Sequence, residues 1–167
     1  CKAVVIACNT ATSVAAAKLR QEIAMPIIAM EPALKPASMV AGDGLVLVLA
    51  TAVTLKLDKF KQLMKIYGKD AVPIPAPKFV TAVEAGRWEG PEILALFDEY
   101  LAPYLDKPIK AVVLGCTHYV FLKQALREYL PAHILLIDGN AGTAQQLKNR
   151  LSQEDLLGGV NDPDISS

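Results

Sequence analysis

Two stretches of this chain nearly repeat one another, Lys2-Ala3-Val4-Val5-Ile6-Ala7-Cys8 and Lys110-Ala111-Val112-Val113-Leu114-Gly115-Cys116. Each ends on a cysteine, and a threonine follows within two residues, Thr10 and Thr117. Apolar β-branched runs of this kind read as buried strands, so each thiol falls where a strand gives way to a helix. Free backbone N–H groups at a helix start favour an anion, whether a thiolate or a substrate carboxylate. The same position lowers a cysteine pKa from its ordinary value of about 8.5, so that the thiol can act as a base near neutral pH. A single cysteine at the end of a buried strand is ordinarily a small inert hydrophobe. Two at corresponding places, each with a threonine and an amide or imidazole group (Asn9, His118) close behind, are hard to attribute to packing.

Three chemistries suit such a pair. A redox couple more typically has Cys-x-x-Cys at one helix start, which the chain lacks. Zinc could take sulfur and imidazole from Cys1, Cys8, Cys116 and His118, although tight Cys-x-x-Cys ligand spacing is absent. A base and an acid on opposite sides of one carbon would remove a proton from one face and deliver one to the other, as inversion of a stereocentre requires.

The elements that must hold these thiols alternate along the chain. Short apolar runs at 3–6, 26–29, 45–49, 71–74, 111–114 and 134–137 are separated by helical stretches, the pattern of βα units around a mostly parallel sheet covered on both faces. One helix is expected from near Thr10 to about Ile23, and another from Leu55 to Tyr67, with Leu57, Phe60, Met64 and Tyr67 on one apolar stripe. The lysines around that stripe (Lys56, Lys59, Lys61, Lys65, Lys69) read as a solvated face. Pro73, Pro75 and Pro77 mark an extended connection before a helical turn over 79–85, and Gly90-Pro91 opens a helix to about Leu101. Pro103 and Pro108 bracket the return to the second cysteine strand, and Gly158 to Ser167 read as a loose tail. Thr10 and Thr117 are expected as helix N-caps. In an open α/β sheet ligands bind at the carboxyl ends of strands, where both cysteines lie.

Composition limits the classes of function. The chain has 167 residues, 53% hydrophobic, with Lys plus Arg and Asp plus Glu at 17 each, so neither nucleic acid nor an acidic membrane surface is called for as partner. The most apolar stretch, 45–53, is interrupted by Thr51 and falls short of the ~20 residues of a membrane span. Three cysteines, an odd count, and no signal-peptide pattern point to a reducing cytoplasm rather than a secreted disulfide framework. Opening on Cys1 and entering a strand at once suggests that an upstream segment is absent.

Five segments in order carry a resemblance: Ala7-Cys8-Asn9-Thr10-Ala11, Glu31-Pro32-Ala33-Leu34-Lys35-Pro36-Ala37, Leu49-Ala50-Thr51 with Thr54-Leu55, Val83-Glu84-Ala85-Gly86, and Gly115-Cys116-Thr117-His118-Tyr119. Together they resemble the glutamate racemases of the aspartate/glutamate racemase superfamily, from Ala3 to about Ala144. The resemblance implies a cofactor-independent amino-acid racemase acting on glutamate, with D-glutamate destined for peptidoglycan. It implies Cys8 and Cys116 as the catalytic thiols, Cys8 handling the proton of D-glutamate and Cys116 that of L-glutamate. Glu84 and His118 match helpers of the second cysteine, and Asn9, Thr10, Thr51 and Thr117 match substrate contacts. No metal site is implied, and Arg20, Arg87, Arg127 and Arg150 all lie outside the motifs.

The expected architecture is two pseudo-symmetric three-layer α/β lobes with mostly parallel sheets and the site between them. Residues 1–31 plus 139–167 form the first lobe, missing an upstream strand, and 32–138 the second, with crossovers near Glu31 and at Asp138-Gly139. The family's Asp-Ser-Gly loop, whose Asp assists the first cysteine, has no match here, and Val120 stands where proline commonly follows His-Tyr. Glu31 reads as part of a lobe-joining turn and His133 as structural. A related aspartate or other amino-acid racemase is the alternative enzyme, although aspartate racemases tend to carry Glu after Gly-Cys-Thr. An inactive fragment or zinc-binding module is the alternative from another class, and a homodimer is left open.

Overall fold

The computed structural model describes residues 1–157, so the tail read as loose, from Gly158 on, lies outside them. Six strands and eight α-helices follow one another in βα order: β1 Val4–Ile6, α1 Asn9–Glu22, β2 Ile27–Ala29, α2 Leu34–Ser38, β3 Leu45–Ala50, α3 Ala52–Lys56, α4 Asp58–Tyr67, β4 Ala71–Pro75, α5 Pro77–Glu84, α6 Pro91–Leu101, β5 Ile109–Leu114, α7 Lys123–Tyr129, β6 Leu135–Asp138 and α8 Asn140–Gln153. A 3-10 turn, Thr117–Leu122, joins the second cysteine to α7. Among the described residues all strand pairs are parallel, in a two-stranded sheet, β1-β2, and a four-stranded sheet in the order β4-β3-β5-β6.

The larger sheet has the expected three layers. Along β3 and β5, successive side chains point to opposite faces. Leu47, Leu49, Val112 and Leu114 join Phe79, Ile93, Phe97 and Leu126 from α5, α6 and α7 on one side. Val46, Val48, Ala111 and Val113 join Leu34, Ala37 and Phe60 from α2 and α4 on the other. This explains why β3 and β5 are apolar at nearly every position: neither face meets water.

β1 departs from that expectation. Among the described residues it has β2 alone beside it, and Val5 is 41% exposed, so the first cysteine strand is only partly covered where the second is buried. The two sheets therefore differ in strand number, and their likeness resides in the strand–cysteine–helix unit.

The stretch Leu55 to Tyr67 is two helices, not one. Thr51 caps α3, its Oγ1 accepting from Thr54 N–H at 3.2 Å, and the chain turns extended at Leu57 (φ −69°, ψ 141°) before α4 starts. Asp58 then lies in the first turn of α4, where a carboxylate suits the helix dipole. The apolar stripe survives the break, with Phe60 buried and Met64 and Tyr67 packed against the same cluster. The lysine face is solvated as read, Lys59 reaching Glu31 at 2.6 Å.

Pro73 and Pro75 are not in a connection but in β4 itself, opposite Val48 and Ala50. β4 is an edge strand, where a residue without N–H costs no ladder bond on the open side. Pro77 opens α5, as fits proline at a first helical position. Gly139 lies against the 30–31 turn: a Cβ on it would lie 3.1 Å from the Glu31 carbonyl oxygen and 3.3 Å from Met30 Cγ. Among the described residues no helix is long and apolar enough to cross a membrane.

Candidate active site

Cys8 follows β1 and Cys116 follows β5, each two residues past the strand end. Each is itself the N-cap of the next element, Cys8 at φ −142°, ψ 126° and Cys116 at φ −139°, ψ 144°. The expectation that Thr10 and Thr117 cap is thus corrected: Thr117 opens its turn and Thr10 is the second residue of α1. The cysteine carbonyls accept the first helical bonds, from Thr12 N–H at 2.9 Å and Tyr119 N–H at 3.1 Å. An extended residue must precede the first turn, so the repeated strand carries each thiol into the same conformation.

Both thiols are free and partly exposed. Burial pushes the Cys116 thiol up from its ordinary value, and charge on Cys8 pushes it the same way. The His118 and Tyr119 N–H groups and the Thr117 hydroxyl favour the thiolate and offset only part of that rise. The lowered pKa expected of a helix-start thiol is therefore not found at Cys116. A short 3-10 turn offers few aligned dipoles, and desolvation of the charged form outweighs them.

A polar chain runs outward from this thiol. Cys116 Sγ lies 3.6 Å from His118 Nδ1, and His118 Nε2 lies 3.1 Å from Glu84 Oε1 at the end of α5. Glu84 and His118, far apart in sequence, are thus brought to one thiol. The turn that carries His118 is locked by Tyr119, fully buried, whose hydroxyl donates to the Ala76 carbonyl at 2.8 Å and whose ring packs edge-on to Phe79.

The opening turn of α1 reaches the residues around Cys116 and α3. Asn9, 6% exposed, donates from Nδ2 to the Gly115 carbonyl at 2.7 Å. Thr10 Oγ1 lies 3.1 Å from Thr54 Oγ1, which lies 3.0 Å from Thr51 Oγ1. Asn9, Thr10 and Thr51 are thus gathered beside the two cysteines. Thr54, buried at 3%, is the centre of this hydroxyl chain and was assigned no role from sequence. Its signal was present in Thr51-x-x-Thr54 after a strand, the spacing at which a cap and the third helical residue meet.

Glu31 pairs with Lys59, and His133 is exposed ahead of β6. The arginines have their own partners: Arg20 the Ile27 carbonyl, Arg87 Glu92, Arg127 the Ile134 carbonyl, and Arg150 Glu154. Cys1 Sγ faces the Ala3 carbonyl and Met25, so the sulfurs and imidazole weighed as a zinc set are not assembled, and among the described residues no three His, Cys, Asp or Glu side chains converge on a metal position.

Residues 1–147 match the sequence pattern of the Asp/Glu/hydantoin racemase family. The chain is 46% identical over 158 residues to a glutamate racemase of Clostridium perfringens, covering 93% of this chain and 61% of the relative. To that of Pseudomonas aeruginosa it is 45% identical over 159 residues, covering 93% and 60%. Among solved structures, Escherichia coli glutamate racemase in complex with L-glutamate and the activator UDP-MurNAc-ala is similar with a TM-score of 0.81 at 30% identity, over 90% of this chain and 58% of that one. Francisella tularensis glutamate racemase in complex with D-glutamate gives 0.76 at 29% identity, over 97% and 61%. The chain spans about three fifths of the length of the relatives it matches.

Proposed function

Since the chain belongs to the Asp/Glu/hydantoin racemase family, we propose that it interconverts L-glutamate and D-glutamate without a cofactor, using Cys8 and Cys116 as a base and acid pair. The observation that carries this reading is the matched placement of the two thiols, each an N-cap past a parallel strand end, with Asn9 beside Cys8 bonded to the Gly115 carbonyl beside Cys116.

In the D-to-L direction the Cys8 thiolate takes the α-proton of D-glutamate, and the Cys116 thiol delivers its own proton to the opposite face. Carbon is inverted, and the pair is left as Cys8 thiol and Cys116 thiolate. The raised Cys116 thiol suits the donor state required at the start of this step. The reverse direction starts from that state, the Cys116 thiolate taking the α-proton of L-glutamate while the Cys8 thiol delivers its proton to the opposite face, and His118, backed by Glu84, is the proposed partner that helps hold Cys116 as a thiolate. Asn9, Thr10, Thr51 and Thr117 are proposed to line the glutamate site. Hydroxyls and backbone N–H groups there can hold a carboxylate without an arginine.

The two sheets are read as two lobes, 1–31 with 139–167 and 32–138, with the substrate between them. A cytoplasmic enzyme supplying D-glutamate for peptidoglycan fits the proposed reaction. The test is proton exchange: in deuterium oxide the chain should incorporate deuterium at Cα of either enantiomer and bring the two to equal amounts. Absence of exchange from both enantiomers, in a folded sample, would refute the reading.

A further inference from the structure

We propose that Trp88 and Phe121 are positioning residues, an aromatic clasp that holds the Glu84–His118 couple against Cys116, a role that rests on the racemase reading above. Their ring centroids lie 6.1 Å apart with the planes tilted by 35°, although Trp88 is 44% and Phe121 59% exposed. A single exposed aromatic calls for no explanation. Two that meet across elements already joined by Glu84 and His118 do.

Both elements are built to bring these rings together. In the 3-10 turn Thr117–Leu122, side chains three residues apart eclipse one another, so Tyr119 and Leu122, both fully buried, form its inner row. His118 and Phe121 form a second row on the more open side. Opposite them, α5 ends at Glu84 and the chain reverses through Gly86 (φ 73°), a conformation that glycine adopts without strain. Gly86 N–H donates to the Val83 carbonyl and Arg87 N–H to the Ala82 carbonyl, each at 2.9 Å, the paired bonds that close a helix on a left-handed residue. Arg87 Nε then reaches Glu92 Oε2 on α6 at 2.9 Å. The segment that carries Trp88 is therefore tied to α5 and α6, and the indole extends it to the turn that bears His118.

Two rungs thus join one pair of elements, and the aromatic rung is the one that holds. Glu84 is mostly exposed, and water competes for a polar contact in that setting, leaving it little net strength. A ring contact gains from apolar burial and from the ring–ring geometry, neither of which water supplies. With the clasp open, the imidazole is free to leave its 3.6 Å contact with Cys116 Sγ.

Trp88 is the chain's one tryptophan, so its fluorescence reports on the clasp directly. Phe121→Ala should shift the emission maximum to the red and increase quenching by acrylamide. An unchanged spectrum would overturn the contact, whatever the reaction. Trp88→Ala and Phe121→Ala should each lower kcat by about 3- to 10-fold, the scale of one aromatic pair, with KM little changed. Trp88→Phe keeps a ring and should recover most of the loss. Parent-like kcat in both alanine variants, or a raised KM with parent kcat, refutes the proposal.

Dependence on the imidazole separates positioning from mere packing. In a His118→Asn background, Trp88→Ala should change kcat by less than about twofold, because residues that act as a unit are not additive. The full loss reappearing in that background would show that the aromatics act elsewhere. A second readout needs no turnover: the pH midpoint of Cys116 alkylation by iodoacetamide should move upward in Trp88→Ala, as in His118→Asn. Cys8, Tyr119 and, through the imidazole, Glu84 are the other titratable groups around this thiol, and the substitution leaves all three in the chain. An unmoved or lowered midpoint overturns the clasp. A parent that shows the fluorescence and alkylation shifts but no Cα exchange would sink the racemase reading and leave the clasp standing.

Discussion

Cys8 and Cys116 share one backbone conformation, φ −142°, ψ 126° and φ −139°, ψ 144°, as the caps that end two parallel strands in different sheets. If each serves one face of the substrate carbon, neither can replace the other. Cys8→Ser and Cys116→Ser should each reduce net racemisation by about 10²- to 10⁴-fold, the usual contribution of a positioned acid or base. Far-UV circular dichroism should stay at the parent value. Parent-like inversion in either variant would exclude the two-thiol mechanism.

The Glu84–His118 contact should matter to rate and hardly at all to stability. Its partners are 65% and 33% exposed, and ion pairs in such settings contribute about 0–1 kcal/mol. His118→Asn should slow the reaction that starts from L-glutamate, with Glu84→Gln doing so more weakly because it acts through the imidazole. Urea unfolding midpoints should remain near the parent. A large loss of stability with unchanged kcat would show the pair to be structural.

Cys116 should titrate above a thiol in the unfolded chain, because burial and the neighbouring Cys8 disfavour its thiolate. A raised native pKa contributes stability that is fully present below the unfolded value and is lost as pH rises through the native one. Alkylation by iodoacetamide, followed residue by residue by mass spectrometry, should therefore reach half its limiting rate at higher pH for native Cys116 than for the same cysteine in urea. Coincident midpoints would contradict this.

Two substitutions probe the frame beneath the second thiol. Tyr119→Phe removes the donor to the buried Ala76 carbonyl and should cost about 1–3 kcal/mol. Gly115→Ala inserts a methyl 2.6 Å from the Leu49 carbonyl oxygen and should cost about 1–3 kcal/mol by overpacking. Denaturant unfolding checks both, and parent-like midpoints would show that the packing relaxes more readily than its geometry indicates.

The strands were legible because burial on both faces leaves a continuous apolar run, and the runs at 45–49 and 111–114 fall within β3 and β5. Helix edges were less so. The break at Leu57 is invisible to periodicity, since Leu57, Phe60, Met64 and Tyr67 keep their spacing across it, and its local sign is the Thr51–Thr54 cap followed by Asp58. Pro73 and Pro75 looked like a connection because a proline's place in a strand depends on whether that strand is an edge, which only the sheet order reveals.

By itself the sequence determined that two like strands would each deliver a cysteine to a helix start, because strand propensity, apolar patterning and the turn after it are local. Tertiary structure decided the rest: that Glu84 reaches His118, that Asn9 bonds to Gly115, that Thr54 joins Thr10 to Thr51, and that Cys116 is pushed up and not down. Each of these depends on groups distant along the chain being brought within a few ångströms, and on water being removed from between them. Neither condition is encoded at a single position.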